Sequence, residues 1–181
     1  MGASIYIPAV SNVRVIVPKT FVAAGVNNLQ VPIPALACDW IRVLFKVRSL
    51  AAAVAEVAFL RLNGDATNNY DATYTQSSGG VDTPGTLSGA SSMGNFNITA
   101  NSGLANALTT YLIDLTNIND ANRKDFHYTV DQVDLPGFTD RRAIVSGKWR
   151  NTVPITTVDL KLTAANFNTL SWYQVVGYMN S

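Results

Sequence analysis

Strict alternation of apolar and polar residues is the feature that most limits what this chain can fold into. Between Ile41 and Arg48 the odd positions are all apolar, whereas three of the four even positions are cationic. Because successive side chains of a β-strand point to opposite faces, this period of two predicts a strand with one buried and one wet face. Similar segments predict about eight strands in all, over residues 13–17, 41–48, 56–62, 109–116, 126–131, 142–149, 156–162 and 171–179.

The composition also favours strands over helices. Glu56 is the only glutamate, and Asn and Thr are abundant while Lys, Gln and Met are scarce, a balance that disfavours helices. The connecting segments are rich in Gly, Pro, Asn, Asp and Ser, which is the chemistry of turns. We therefore predict an all-β chain, with residues 1–181 forming a single antiparallel β-sandwich domain that is jelly-roll-like, with long polar loops and an N-terminal arm.

Two segments stand apart from the predicted sandwich. The N-terminal part of the chain is interrupted by prolines, namely Pro8, Pro18, Pro32 and Pro34. Because proline cannot donate to a central ladder, residues 1–18 are predicted to form an N-terminal arm or edge strand. Residues 75–102 are rich in Ser and Gly, carry Asp82 as their only charge, and are predicted to form a long exposed loop. Since free strand edges accept strands from other chains, we expect residues 5–17 and 75–102 to carry most of the contacts with other chains.

Charge and residue counts argue against several functional classes. Charged residues make up 14% of the 181 residues and the net charge is +1, whereas a general nucleic-acid binder presents a basic stripe. A single cysteine, Cys38, and a single histidine, His127, leave no disulfide framework and no zinc site with several His or Cys ligands. We predict no cofactor, no metal and no nucleic-acid partner. Nothing in the sequence indicates a membrane span or a secretion signal, so we expect no membrane partner and synthesis in a cytoplasm.

The densest polar motif is a candidate structural corner, formed by Asn63, Gly64, Asp65, Asn69 and Tyr70. Asn and Gly both tolerate positive φ, so Asn63-Gly64 is a strong turn signal. One interpretation makes Asp65, Asn69 and Asp71 oxygen ligands of a calcium ion, but no twelve-residue calcium loop is present. The preferred interpretation is a corner held by hydrogen bonds of Asx side chains, with Tyr70 packed as an anchor.

Other residues with chemical potential have ordinary interpretations. His127 falls on the polar side of a predicted strand, where a surface or loosely paired histidine is expected, and Cys38 is predicted to be a buried, inert thiol. The cationic pairs Arg123-Lys124 and Arg141-Arg142, with Lys148 and Arg150, are either solvated surface or a contact with an acidic protein partner. We therefore predict that the protein is not an enzyme.

Two separated stretches carry a family resemblance. The first runs from Phe59 to Asp65 as Phe-Leu-Arg-Leu-Asn-Gly-Asp and continues in Asn69-Tyr70. The second comprises the closing segments Ser146-Gly147-Lys148-Trp149, Thr152, Ile155-Thr156-Thr157-Val158, Asn166-Phe167 and Val176-Gly177. Together they resemble small tailed-bacteriophage virion-surface β-sandwich proteins of the capsid decoration, or cement, type. The resemblance covers the chain from about Val57 to the C-terminus.

The resemblance implies a structural virion protein. It implies a decoration protein that binds the major capsid protein on the head exterior, stabilises the capsid against genome pressure, and assembles as a homotrimer. An alternative is a tail or fibre-associated receptor- or carbohydrate-binding module, with Trp149, Trp172, Tyr173 and Tyr178 either lining a sugar platform or packing in the core. A third, weaker hypothesis is a jelly-roll hydrolase or lyase that uses His127.

Within the decoration hypothesis, the apolar N-terminal arm is the candidate attachment element. Its capsid or subunit contacts are expected to be Ile5, Tyr6, Ile7, Pro8 and Val10. Apolar side chains in an arm gain free energy when they pack against a neighbouring chain. The expected partners are thus the major capsid protein and further copies of this chain.

Overall fold

Antiparallel strands account for all the regular structure described by the computed structural model, which covers residues 12–35, 38, 40–78, 80–103, 106–132 and 141–179. The strands are β1 (Asn12–Phe21), β2 (Asn28–Pro32), β3 (Trp40–Val47), β4 (Ala55–Leu62), β5 (Tyr70–Ser78), β6 (Val81–Ala90), β7 (Asn95–Thr99), β8 (Thr109–Thr116), β9 (Lys124–Gln132), β10 (Arg141–Trp149), β11 (Thr157–Leu162) and β12 (Trp172–Met179). These residues contain no helix. The predicted all-β antiparallel sandwich is confirmed.

The strand order is that of a jelly roll with additions. An eight-stranded sheet has the order β1-β12-β3-β8-β9-β10-β5-β6, and a four-stranded sheet has the order β2-β11-β4-β7. The pairs β1·β12, β2·β11, β3·β8 and β4·β7 nest within one another along the chain and alternate between the two sheets. This nesting is the double Greek key of a jelly roll.

Two hairpins widen one of the two jelly-roll sheets. The hairpin β5–β6 is inserted between β4 and β7, and the hairpin β9–β10 is inserted between β8 and β11. Both add to the same edge, beyond β8, and double that sheet from four strands to eight. The larger sheet therefore extends past the smaller one and presents a broad outer face.

Alternating burial builds the core between the sheets. Along β3, β4 and β8 every second residue is buried, as the alternation in the sequence predicts. Large aromatic side chains fill the centre, and Tyr111, Tyr128 and Trp149 are each at most 1% exposed. Cys38 is 1% exposed, so its predicted burial is confirmed.

The prediction of a long exposed loop over residues 75–102 is wrong. This segment contains the end of β5, the whole of β6 and the whole of β7. Strand β6 is nevertheless mostly exposed, because it is an edge strand with no neighbour on its outer side within the described residues. Its Ser, Thr, Gly and Pro content therefore reflects an exposed edge rather than an irregular loop.

The N-terminal edge strand is less open to strand addition than the sequence indicates. Strand β1 continues through Pro18 to Phe21, and its register with β12 shifts between Val15 and Val17 and again between Val17 and Thr20. Bulges and prolines are common protections of sheet edges. Strand β6 carries Pro84 in the same way at the opposite edge.

Candidate functional site

The polar motif near residue 65 forms one hydrogen-bonded turn at the end of β4. Asn63 and Gly64 have φ values of 53° and 65°, so both occupy the left-handed region that Asn and Gly tolerate. The Asn63 side chain accepts hydrogen bonds from the backbone N–H groups of Thr156 (2.7 Å) and Thr157 (3.0 Å). The turn is thereby fixed to the segment that leads into β11.

Asp65 is the centre of this turn. Its carboxylate accepts hydrogen bonds from the Thr67 backbone N–H (2.8 Å), the Asn69 side chain (2.9 Å) and the Trp149 indole N–H (2.7 Å). Burial alone would raise the pKa of Asp65, but these donors outweigh it and lower that pKa from 3.8 to about 2. Since Trp149 belongs to the other sheet, the carboxylate connects the two sheets.

Tyr70 completes the turn as a buried anchor. It is fully buried, its ring stacks near Trp149 with centroids 6.4 Å apart, and its hydroxyl accepts a hydrogen bond from the Leu62 backbone N–H (2.9 Å). The structure thus brings together all five predicted corner residues. Asp71 lies outside the turn, and its two carboxylate oxygens accept hydrogen bonds from Nε and Nη2 of Arg150, at 2.5 Å each. The carboxylates of Asp65 and Asp71, two of the three side chains considered as calcium ligands, therefore already accept hydrogen bonds from protein donors.

The candidate attachment residues in the arm, Ile5, Tyr6, Ile7, Pro8 and Val10, lie outside the described residues.

The outer face of the eight-stranded sheet is the largest surface that sequence reasoning did not anticipate. Cross-strand pairing arranges its side chains in four rows that run towards β5, three of them from β1 and one from β12. The rows are Val13-Tyr178-Trp40-Thr116-Asp125-Lys148-Asp71, Val15-Val176-Arg42-Asp114-His127-Ser146-Thr73, Gln174-Leu44-Leu112-Thr129-Ile144-Thr75, and Phe21-Trp172-Lys46-Thr110-Asp131-Arg142-Ser77.

The two ends of this outer face differ in chemistry. The strands β1, β12 and β3 contribute what we call the apolar half, consisting of Val13, Val15, Phe21, Trp40, Leu44, Trp172, Val176 and Tyr178. The strands β9, β10 and β5 contribute a polar half, made of hydroxyl side chains, His127, the single aliphatic Ile144, and cross-strand ion pairs such as Arg142–Asp131 at 2.7 Å. Such an asymmetric face can bind one partner through its apolar end while the other end stays hydrated.

His127 lies in the polar half, between a serine and a carboxylate. Its Nδ1 is 2.8 Å from the Ser146 hydroxyl oxygen, and Asp114 is its direct neighbour on β8. Both oxygens of Asp114 accept hydrogen bonds from Arg42, at 2.7 and 2.9 Å. In a serine-hydrolase triad the carboxylate accepts from Nδ1 and Nε2 faces the serine, so this arrangement has a different geometry.

A groove runs along β5 at the edge of the polar half, with β10 on one side and β6 on the other. It has a volume of about 620 Å³, and its walls include Thr73, Thr75, Thr86, Ile144 and Ser146. A neighbouring depression shares Thr73, Thr86 and Ser146 and ends at the Asp71–Arg150 pair. The groove is open, and four of the eight residues that line it are Thr or Ser, which suits an uncharged polar ligand.

One wall of the groove depends on a glycine. A Cβ atom at Gly85 would lie 2.2 Å from the Tyr74 ring. The ring therefore packs directly against the β6 backbone, and this contact holds the two strands of the hairpin together.

The predicted cationic clusters are mostly paired. Arg142 pairs with Asp131, Lys148 with Asp125 at 3.8 Å, and Arg150 with Asp71.

The interpretation of Lys124 as solvated surface or as a partner contact is wrong. Its side chain is fully buried and donates to the backbone carbonyls of Asp120 and Asn122. Burial lowers the pKa of Lys124. Alternation alone does not predict this burial, because Lys124 is the first residue of β9 and its ammonium group binds carbonyl groups of the preceding loop.

The described part of the chain places no group of three His, Cys, Asp or Glu side chains where they can hold a metal ion. It likewise contains no helix with the length and apolarity that crossing a bilayer requires. Comparison with models of protein families, with curated proteins and with solved structures finds no match to this chain.

Proposed function

We propose that this chain is a structural protein of a tailed-bacteriophage virion, namely a capsid decoration protein. It binds the major capsid protein on the head exterior, assembles as a homotrimer, and reaches the particle after synthesis in the host cytoplasm. The observation that carries the proposal is the jelly-roll strand order, since jelly rolls serve viral capsid proteins as well as lectins. The sequence resemblance from about Val57 onwards narrows the choice to virion-surface proteins.

The mechanism is mechanical rather than chemical. Each copy buries surface across neighbouring capsid subunits and so opposes their separation under genome pressure. Contacts of modest individual strength become effective because many copies act on one shell. The buried aromatic core and the Asp65 link between the sheets provide a rigid spacer for these contacts.

The test is an add-back experiment on particles of the virus that carries the gene. Particles made without this protein are mixed with the purified chain, and genome release on heating is followed by dye fluorescence. We expect release to shift to higher temperature and the bound protein to saturate at a fixed ratio to the major capsid protein. Binding to tails alone, or no binding, would reject decoration.

A second candidate function is supported by the hydroxyl-lined groove. Carbohydrates present many hydroxyl groups and no charge, which matches walls formed by Thr73, Thr75, Thr86 and Ser146. In that case the chain is a tail or fibre module that binds host glycans. Calorimetric titration with neutral oligosaccharides tests this candidate. A Thr73→Val and Thr86→Val double variant is expected to lose binding. Thr110→Val, on the same face but outside the groove, is the control and is expected to retain binding.

A further inference from the structure

The apolar half of the outer face exposes three large apolar side chains. Val13, Val15 and Phe21 are 55%, 53% and 59% exposed, and all three lie on β1 at the edge of the sheet. Trp172 and Tyr178, on β12, are half-buried beside them. Exposed apolar side chains that share one end of a sheet face favour an interaction surface there.

Two lysines, Lys19 and Lys46, border this apolar half, and aromatic rings hold the first of them in place. The Lys19 ammonium lies 4.8 Å from the Phe21 ring centre and 4.5 Å from the Trp172 ring centre. Cation–π contacts of this kind fix the charge at the surface. Lys46 lies directly opposite Trp172 on β3. No carboxylate in the described residues forms an ion pair with Lys19 or Lys46.

Arg42, the third cation of this region, is already paired. Its guanidinium binds both oxygens of Asp114 and also lies over the Trp40 ring, at 5.8 Å. The Asp114 carboxylate therefore balances the charge of Arg42 and not that of the two lysines. The apolar half is thus left with an excess of positive charge from Lys19 and Lys46.

We propose that the apolar half is the docking surface of this chain for a folded protein whose own apolar patch is bordered by carboxylates. The inference rests on the proposed function, in which that protein is the major capsid protein. Val13, Val15 and Phe21 enter the interface core, and Lys19 and Lys46 meet the partner's carboxylates at its rim. The polar half of the face stays in water.

Charge complementarity selects this occupant over a second copy of the chain. A two-fold contact through the same surface would bring Lys19 and Lys46 of one copy towards the same lysines of the other. Juxtaposed like charges cost free energy at an interface.

The test compares matched variants on the two halves of the outer face. Val15→Asp places a carboxylate in the apolar half, and Ile144→Asp makes the same change at a 45% exposed position in the polar half. Phe21→Ser is a second variant of the apolar half, and circular dichroism and thermal melting confirm that each protein is folded. Binding to particles lacking the protein is measured by co-sedimentation. In parallel, light scattering measures self-association, and phosphatidylserine vesicles test for membrane binding.

We expect roughly a tenfold or greater loss of particle affinity for Val15→Asp and Phe21→Ser, as for central positions of an interface. Ile144→Asp is expected to bind within about twofold of the unchanged protein, since rim and distant positions contribute little. Lys19→Gln should weaken binding a few-fold and reduce its salt dependence, whereas Lys148→Gln should do neither.

Each other outcome overturns the inference in a distinct way. Equal binding by the unchanged protein and all variants shows that another surface attaches the chain while the proposed function stands. Loss of self-association in Val15→Asp alone assigns the apolar half to a second copy, and binding to the vesicles assigns it to a membrane. If the unchanged protein binds no particle, the proposed function fails and the inference fails with it.

Discussion

Asp65 joins local turn formation to the packing of the two sheets. Its nearest donors, Thr67 and Asn69, are local in sequence, and this is why the corner could be predicted from the motif alone. Its bond to Trp149 joins residues 84 positions apart and depends on the strand order. The sequence motif predicts such a turn, but it does not show what the turn holds together.

The pH dependence of stability tests the role of Asp65. Its pKa is about 2 in the folded chain and 3.8 ordinarily, so its contribution is present above about pH 4 and is lost as the pH falls towards 2. Between about pH 5 and pH 2 we expect the unfolding free energy of the unchanged protein to fall by ~1–2 kcal/mol more than that of Asp65→Asn. This difference is smaller than the full pKa shift implies, because the Asp65 side chain is partly exposed to solvent. Urea unfolding at each pH measures this difference.

Asp82→Asn is the matched control, because Asp82 is exposed on β6 and makes no side-chain hydrogen bond or ion pair with the described residues. Its pH profile should follow that of the unchanged protein. Parallel profiles for the unchanged protein and Asp65→Asn would show that the carboxylate does not hold the corner.

At the level of elements, strand prediction succeeded where a buried face imposes alternation. The segments expected at β3, β8 and β10 are strands, and each shows alternating burial. The hairpin β5–β6 and the short strands β2 and β7 were missed, because β6 has little apolar content and β2 and β7 have five residues each. Pairing with distant strands, rather than local preference, makes β2, β5 and β7 extended, whereas β6 pairs, among the described residues, only with β5.

The strand register also determines which residues become neighbours on the outer face, and the sequence alone does not predict that register. Alternation assigns a residue to one side of its strand, but it does not say which residue of which strand lies opposite. His127, Ser146 and Asp114 become neighbours only through the pairings of β8, β9 and β10. The apolar half arises in the same way from β1, β12 and β3.

Close contact between β10 and β5 is tested by Gly147→Ala. A Cβ atom there would lie 2.3 Å from the Asp71 carbonyl oxygen and 2.5 Å from the Phe126 ring. Because backbone and ring must both shift, we expect a loss of about 1–3 kcal/mol in unfolding free energy. Ser146→Ala, at the exposed neighbouring position, should change it by about 0.5 kcal/mol or less. Equal stability of the two variants in denaturant titrations would contradict this packing.

At the scale of the whole molecule, one broad sheet gives the jelly roll two chemically different ends. The inserted hairpins extend the polar half and form the groove, while the jelly-roll strands β1, β12 and β3 carry the apolar half. The chain also enters the described fold at β1, next to the apolar half. We therefore expect the arm and the apolar half to act on the same partner.

Removal of residues 1–10 tests the arm. Since β1 begins at Asn12, the truncated chain should keep its strand-type circular dichroism and remain soluble, yet no longer remain bound to particles. Burial of Ile5, Tyr6 and Ile7 would contribute roughly 1.5–3 kcal/mol each before the entropy of ordering the arm is subtracted. A truncated chain that still binds particles and protects them from heat would show that the arm is not the attachment element.

The most direct test of the proposed function is a reconstruction of the virion by electron microscopy, combined with quantification of this chain in purified particles. Decoration predicts sandwich-shaped density repeated over the head exterior, with the apolar half facing the capsid and a copy number on the order of hundreds, as multivalent reinforcement of a shell requires. Density confined to the tail, or a few copies per particle, would contradict decoration and favour the glycan-binding candidate.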